Sequence, residues 1–236
     1  MIKTIITGAI LAFSFSTANL TEFTEGTNQL LEGHVKDGRV DYQALASQPD
    51  QVKQLYQQVG SISLQSASDA EKKAFYINAY NIITIYQIVQ NYPVKSPMDI
   101  NGFFDRKKHQ VAGEPLTLNQ LEKERLLKNH FDPRAHFVLV CAAVSCPSLA
   151  DFAYQADQLD EQIEQKTQEA LNNSEFIRVD KSKGKVYISK IFDWYKKDFT
   201  EGGQTIIEFL NKYRNDPIPT SYQLTHYEYN WQLNDT

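Results

Sequence analysis

The segment that most restricts the fold is Ala70–Asn91, whose pattern is that of a helix with apolar residues almost all round. Ser68 and Glu71 have the spacing of a capping box. The pair Tyr92-Pro93 ends the helix, because a residue before proline disfavours helical backbone. A helix of this kind lies buried at the centre of its domain. Its apolar positions include Phe75, Tyr76, Ile77, Tyr80, Ile82, Ile83, Ile85, Tyr86, Ile88 and Val89.

Two asparagines interrupt this apolar helix. Asn78 and Asn81 are three residues apart and therefore lie on the same face. Asparagine is a poor helix former, and a buried amide needs hydrogen-bond partners. The two side chains either form structural hydrogen bonds to a neighbouring loop or line the wall of a cleft.

A second segment, Asp132–Pro147, concentrates the reactive residue types of the chain. It contains both cysteines, Cys141 and Cys146, together with His136. The apolar run Phe137–Cys141 is bounded by Asp-Pro and Ser-Cys-Pro, which predicts a strand buried on both faces. A strand that begins at a histidine and ends in a cysteine-bearing turn is a candidate place for chemistry.

The region between these segments contains a further helix with charged residues on its apolar side. Thr117 and Gln120 form another capping-box pattern, and the helix is predicted to continue to about Asn129. Glu122 and Arg125 fall within the arc of the apolar residues Leu118, Leu121 and Leu126. They either pair with each other at three-residue spacing or point towards a site.

These elements predict an α+β fold for residues 19–236, arranged as a single domain. The expected sheet is small and mostly antiparallel, and it is packed against the long buried helix with several helices around it. We expect its strands to include Phe137–Cys141, Val186–Ser189 and a last strand near Ser221–Leu233.

Residues 1–18 have the pattern of a signal peptide. Lys3 supplies the positive charge, Ile5–Phe15 the apolar segment, and Ser16-Thr17-Ala18 the small residues of a cleavage site. We therefore expect a periplasmic or secreted protein, without stable membrane insertion after cleavage. The net charge of -5 and the lack of a long basic stripe predict no nucleic-acid partner.

One interpretation of the second segment is thiol chemistry. A thiol enzyme needs a cysteine, a histidine that accepts its proton, and a group that orients the histidine. Cys146 in its turn is the expected nucleophile, His136 the base and Glu122 the orienting group. Asn78 or Asn81 is the candidate for stabilising an oxyanion.

Several alternatives remain open at the level of sequence. His109 or His226 could replace His136 as the partner of the thiol. In a regular strand Cys141 faces away from His136, which makes Cys141 the poorer nucleophile. In an exported protein the two cysteines could instead form a structural disulfide. His136 would then be a core histidine in a non-catalytic secreted binding module.

Other chemistries lack their motifs. The sequence has no glycine-rich phosphate loop, no G-x-S-x-G elbow and no paired-histidine zinc helix. Two cysteines with four residues between them do not form a zinc site alone. We therefore expect neither a metal nor a cofactor.

The order of several short motifs resembles the domain-of-unknown-function 547 family. The motifs are Gly38-Arg39-Val40-Asp41-Tyr42, Phe75–Asn81, Thr117–Glu122, Asp132–Phe137, Ser145-Cys146-Pro147, Ser189–Phe199 and Tyr229–Asn234. The resemblance implies a soluble, mostly exported bacterial group, with plant relatives fused to other modules and with no assigned activity. It also implies motif positions at Asn78, Asn81, Glu122, His136, Cys141, Cys146 and Asp198.

This chain departs from the family pattern at two positions. Ala142 stands where the family pattern has glycine, so the backbone there is less free to adopt a positive φ. Asn230 stands where an aspartate is usual, which weakens any role for that position in orienting a histidine. An analogy of fold with papain-like or transglutaminase-like thiol enzymes does not by itself establish function.

The resulting hypothesis is a cysteine-dependent hydrolase or transferase acting on peptide or cell-envelope amide bonds. Its partner would be a small-molecule or peptide substrate, and we expect the protein to be a monomer. The alternative is the non-catalytic module with a Cys141–Cys146 disulfide.

Overall fold

The computed structural model describes residues 19–236, so the predicted signal peptide lies outside the described residues. The fold is α+β, as predicted. Its α-helices are α1 (Leu20–His34), α2 (Tyr42–Ser47), α3 (Asp50–Ser61), α4 (Asp69–Val89), α5 (Leu118–Gln120), α6 (Leu159–Asn172), α7 (Ile191–Trp194), α8 (Lys196–Phe199) and α9 (Ile206–Asn211). A π-helical segment, Leu121–Leu127, continues α5, and 3₁₀ turns occupy Pro97–Asp99, Pro133–Phe137 and Glu201–Gly203.

The strands found within residues 19–236 form three small sheets. Two are antiparallel hairpins, β1 (Val35–Lys36) with β2 (Arg39–Val40) and β3 (His109–Val111) with β4 (Glu114–Leu116). The third contains β5 (Ile177–Asp180), β6 (Lys185–Ile188) and β7 (Gln223–His226), with β5–β6 antiparallel and β6–β7 parallel. Within residues 19–236, no helix is long and apolar enough to cross a membrane.

Helix α4 is the buried central helix that its sequence predicts. Ser68 and Glu71 form the complete capping box at its start, and the helix ends three residues before Tyr92. Its apolar side chains belong to a first core cluster together with α1, α2 and α3. The two hairpins contribute Val40 and Val111, among others, to the same cluster.

The three-stranded sheet packs in a second core cluster, not against α4. This cluster joins the sheet to α7, α8 and α9 through Ile177, Val186, Phe192, Phe199 and Phe209, all buried. The predicted packing of the main sheet on the long helix is therefore wrong, although the hairpins do pack there. Hydrophobic pattern alone does not tell which buried faces meet.

The predicted strand Phe137–Cys141 is also wrong. Asp132 caps a 3₁₀ turn that begins with Pro133 and ends at Phe137, and an irregular loop follows. Phe137 belongs to the second cluster, whereas Val138 and Val140 belong to the first. The run is apolar because it passes between the two core clusters and is buried by both. Its burial therefore does not require a strand.

The predicted last strand, Ser221–Leu233, divides into two parts. Only β7 joins the main sheet, and the end of the chain pairs with the cysteine loop instead. Ala143 forms an antiparallel bridge with Leu233, and the Val144 amide donates to the Gln232 carbonyl at 2.8 Å. The Asn234 amide donates to the Ala142 carbonyl at 3.1 Å. The C-terminal segment therefore fixes the backbone that precedes Cys146.

Asn230, the second departure from the family pattern, lies in a turn of this segment. Its side-chain oxygen accepts a hydrogen bond from the Gln232 amide at 3.0 Å, and its own amide donates to the Ser145 hydroxyl at 2.8 Å. These contacts give the residue a local role in shaping the turn beside the cysteine loop.

Ala142 adopts the left-handed conformation that its side chain disfavours. Its φ is 58°, and the residue is fully buried. An L-residue other than glycine costs about 1–2 kcal/mol in this region of backbone space. The position thus requires a positive φ even though this chain has alanine there.

We predict that Ala142→Gly changes the free energy of unfolding by less than about 0.5 kcal/mol. Relief of the left-handed strain offsets the greater chain entropy of glycine and the loss of a buried methyl group. The matched control is Ala143→Gly, also buried but without positive φ. This control should cost about 1–2 kcal/mol. Urea unfolding of both variants measures the difference, and equal losses would contradict the strain at Ala142.

Candidate functional site

A cavity of about 280 Å³ lies where the two core clusters meet. Tyr80 and Leu139 come from the first cluster, whereas Ile191 and Tyr195 come from the second. The cavity also brings together residues singled out in the sequence. These are Glu122, His136, Cys141 and Cys146.

His136 is buried and held in a fixed orientation. Its Nε2 lies 2.8 Å from Oδ2 of Asp198, a residue of α8. The Tyr195 ring packs on the imidazole with ring centroids 3.9 Å apart. Because a carboxylate oxygen only accepts, the contact places a proton on Nε2 and leaves Nδ1 as the basic nitrogen.

Glu122 is not the group that orients His136, in contrast to the sequence prediction. Its Oε1 lies 3.8 Å from His136 Nδ1, beyond hydrogen-bond distance, whereas Asp198 makes the close contact. Nor does Glu122 pair with Arg125, which contacts Glu114 instead. Glu122 lines the cavity, and the residue is only 4% exposed.

The π-helical segment Leu121–Leu127 accounts for the position of Glu122. The capping box of Thr117 and Gln120 starts α5 as predicted, but the following turn widens into π-helix. π-helical turns are rare and often occur at functional sites. Burial raises the pKa of Glu122, and this effect is partly opposed by His136 and by a hydrogen bond with the Tyr195 hydroxyl.

Cys141 and Cys146 stand side by side at the cavity wall, with their sulfur atoms at disulfide distance. The Cys141 amide donates to Cys146 Sγ at 2.9 Å. The Tyr229 hydroxyl lies 3.0 Å from Cys141 Sγ and 3.3 Å from Cys146 Sγ. Among the described residues, neither cysteine is hydrogen-bonded to His136.

Asn78 and Asn81 do not line the cavity, and their proposed role in an oxyanion site is not supported. Asn78 donates to the Tyr154 carbonyl at 2.8 Å and accepts from the Tyr154 amide at 2.9 Å. Asn81 donates to the Val138 carbonyl at 2.9 Å and accepts from the Val140 amide at 3.0 Å. Each amide therefore supports a neighbouring loop, the structural alternative considered for these residues.

The two alternative histidines lie away from the cavity lining. His109 is buried, and its Nδ1 lies 3.0 Å from the Tyr56 hydroxyl. Burial lowers its pKa to about 4, so it is neutral at physiological pH. His226 is on β7 in the main sheet. Of these three histidines, His136 is the one that shares a cavity with the cysteines.

Sequence reasoning missed the aromatic character of the cavity. Six lining residues are aromatic besides His136, namely Tyr80, Phe104, Trp194, Tyr195, Tyr229 and Trp231. Trp194 and Trp231 are the two tryptophans of the whole chain, and their shared position could have signalled the site. Within residues 19–236, no group of three or more His, Cys, Asp or Glu residues is arranged to hold a metal ion.

One comparison with known proteins gives a match. The family described as "Protein of unknown function, DUF547" matches residues 64–171, a segment that contains Glu122, His136 and both cysteines. Asp198 and Tyr229 lie beyond the matched residues. No curated protein and no solved structure matches the chain.

We predict that Glu122→Gln raises the free energy of unfolding at neutral pH. Since the folded-state pKa of Glu122 is raised, the ionised carboxylate is less stable in the folded protein than in the unfolded chain. Stability is therefore lost as the pH rises through the folded-state pKa, and the neutral amide escapes this loss.

Urea unfolding from pH 3 to pH 7 measures the effect. Wild type and Glu122→Gln should differ little near pH 3, where the glutamate is protonated in both states, and the gap should widen towards pH 7. Glu124→Gln, an exposed change in the same helical segment, is the matched control. A gap that does not depend on pH would contradict the assignment.

We also predict that Asn81→Ala destabilises the protein by about 2–4 kcal/mol, because it leaves the Val138 carbonyl and the Val140 amide buried without partners. Asn78→Ala should cost a similar amount. Hydrogen exchange separates the two variants, since Asn81→Ala should expose the Val140 amide and Asn78→Ala the Tyr154 amide. Asn101→Ala, at an exposed position, serves as control. Unchanged exchange at Val140 would contradict the proposed support.

Proposed function

For this chain, which belongs to the DUF547 family over residues 64–171, we propose a cysteine-dependent hydrolase or transferase activity. Cys146 acts as the nucleophile, His136 as the base and Asp198 as the group that orients His136. The observation that carries the proposal is the position of a carboxylate-bound histidine and a cysteine on the wall of one cavity. Thiol enzymes use these three kinds of group together.

The donors around Cys146 support its choice over Cys141. The Cys141 amide, 2.9 Å from Cys146 Sγ, would donate to a Cys146 thiolate, whereas the Tyr229 hydroxyl is within reach of both sulfur atoms, at 3.3 Å from Cys146 and 3.0 Å from Cys141. Burial raises the pKa of Tyr229, so its hydroxyl keeps its proton and remains a donor. Hydrogen bonds to a charged form stabilise it, which favours the thiolate at Cys146.

The proposed reaction begins with the reduced form of the cysteine pair. An external dithiol reduces the Cys141–Cys146 bond and becomes a disulfide itself. His136 Nδ1 then takes the proton of Cys146, and the thiolate attacks the carbonyl carbon of an amide. The C–N bond breaks, the amine leaves with the proton from His136, and a thioester forms on Cys146. Water or a second amine releases the acyl group.

The substrate class and the compartment follow from the sequence as proposals. A signal peptide over residues 1–18 would deliver the mature chain to the periplasm or the exterior. Peptides and the amide bonds of the cell envelope are the substrates within reach there. A monomer acting on a small molecule or a peptide is consistent with a cavity of this size.

A second candidate function has its own supporting observation. The two sulfur atoms lie at disulfide distance, and the structure records no free cysteine among the described residues. A permanent disulfide in an exported protein would stabilise the loop and leave no nucleophile. The protein would then be a non-catalytic binding module, whose cavity holds a ligand without converting it.

We predict that Cys146 becomes the preferred site of alkylation after mild reduction of the native protein. Iodoacetamide labelling, mapped by mass spectrometry, should modify Cys146 at least tenfold faster than Cys141. The pH profile should place the pKa of Cys146 below the ordinary value of a cysteine thiol. His136→Ala should slow the labelling at neutral pH by about tenfold, because it removes the base.

His34→Ala is the matched control, since His34 lies on α1 away from the cavity lining. Equal labelling of wild type and His136→Ala, or no labelling of the reduced native protein, would overturn the thiol proposal. The binding-module alternative predicts a different result. Reduction should leave the thiols unreactive and lower the free energy of unfolding by about 2 kcal/mol, as a short disulfide loop provides.

A further inference from the structure

We propose that the cavity at the junction of the two core clusters binds an organic cation, as an ammonium group on a small molecule or a side chain. The cavity is the one used in the proposed function, and only the choice of this cavity rests on that proposal. Binding does not require thiol chemistry, so the two proposals can fail separately.

The charges of the lining residues support a cation. Glu122 is buried and lines the cavity, and no lysine or arginine stands among the described residues that line it. The one lining group that can become cationic is His136, which is already bound to Asp198. Glu122 has a hydrogen bond with the Tyr195 hydroxyl and lies 3.8 Å from His136 Nδ1, and in a buried site a further positive charge would stabilise its carboxylate. An ammonium group that enters the cavity supplies this charge.

The walls of the cavity support the same ligand class. Trp194, Tyr229 and Trp231 form a contiguous aromatic wall, with ring centroids 4.7–5.8 Å apart. Trp194 is 49% exposed, so part of its ring remains accessible from solvent at the edge of this wall. Aromatic faces attract cations, and tryptophan does so most strongly.

The size of the cavity limits the ligand. A volume of about 280 Å³ is near the lower end of the range for small-molecule sites, about 300–1,000 Å³. It suits a small ammonium compound or a single cationic side chain. A long or branched ligand would have to extend past the exposed Trp194 into solvent.

The unusual position of the tryptophans provides a direct assay. Since Trp194 and Trp231 are the two tryptophans of the chain and both line the cavity, intrinsic fluorescence reports on its occupancy. We propose titrating the full chain with choline and with its neutral isostere 3,3-dimethylbutan-1-ol. Butylammonium and butyrate are the further probes, which separate primary from quaternary ammonium and cation from anion.

Choline or butylammonium should give a saturable change in fluorescence, at least tenfold tighter than the neutral isostere or butyrate. Glu122→Gln should weaken cation binding about tenfold and leave the binding of the neutral isostere unchanged. Glu124→Gln, exposed in the same π-helical segment, should bind as wild type does. Trp194→Phe should retain part of the affinity, whereas Trp194→Leu should lose it.

The selectivity of the wild-type protein decides the proposal even if a variant fails to fold. Equal affinity for choline and its neutral isostere, tighter binding of butyrate, or no saturable binding of either ammonium probe would overturn it. Repeating the titration in oxidised and reduced protein separates this result from the thiol proposal. Cation binding with an unreactive Cys146 would refute the enzyme and keep the binding site.

Discussion

The two hydrogen bonds of Asn81 are the interaction on which the site depends. They join the middle of the central helix to the backbone at Val138 and Val140, in the loop that separates His136 from Cys141. Neither Val138 nor Val140 belongs to a strand, so the Asn81 side chain supplies the hydrogen bonds of this carbonyl and this amide. A buried backbone group that is left without a hydrogen-bond partner costs about 1–3 kcal/mol. The Asn81 side chain thus provides the backbone hydrogen bonds that a neighbouring strand would provide in a sheet.

The cavity exists because this loop runs between two cores that do not merge. Phe137 enters the second core and Val138 the first, while His136 faces the space between them. Each core contributes a different part of the site. Glu122 and the cysteines come from the side of the central helix, whereas Asp198, Tyr195 and Trp194 come from the side of the main sheet.

Two features of the site oppose stability. Burial raises the pKa of Glu122, so its ionised form is disfavoured in the folded protein, and Ala142 holds a left-handed backbone beside the cysteines. Locally unfavourable conformations and charges are maintained when the packing of the surrounding structure enforces them. They are most frequent at binding and catalytic sites. In this protein Glu122 lines the cavity, and Ala142 directly follows Cys141, which also lines it.

The sequence by itself determined the local structure. Ser68 with Glu71 and Thr117 with Gln120 cap the predicted helices, because capping depends on residues three positions apart. It also singled out His136 and Cys146, because reactive residue types cluster in one segment, and both residues line one cavity. Tertiary structure alone decided that Asp198 binds His136, that Glu122 faces an aromatic cavity and that Phe137–Cys141 is no strand. These outcomes depend on contacts between segments up to about a hundred residues apart, and a periodic pattern shows that a residue is buried without showing what buries it.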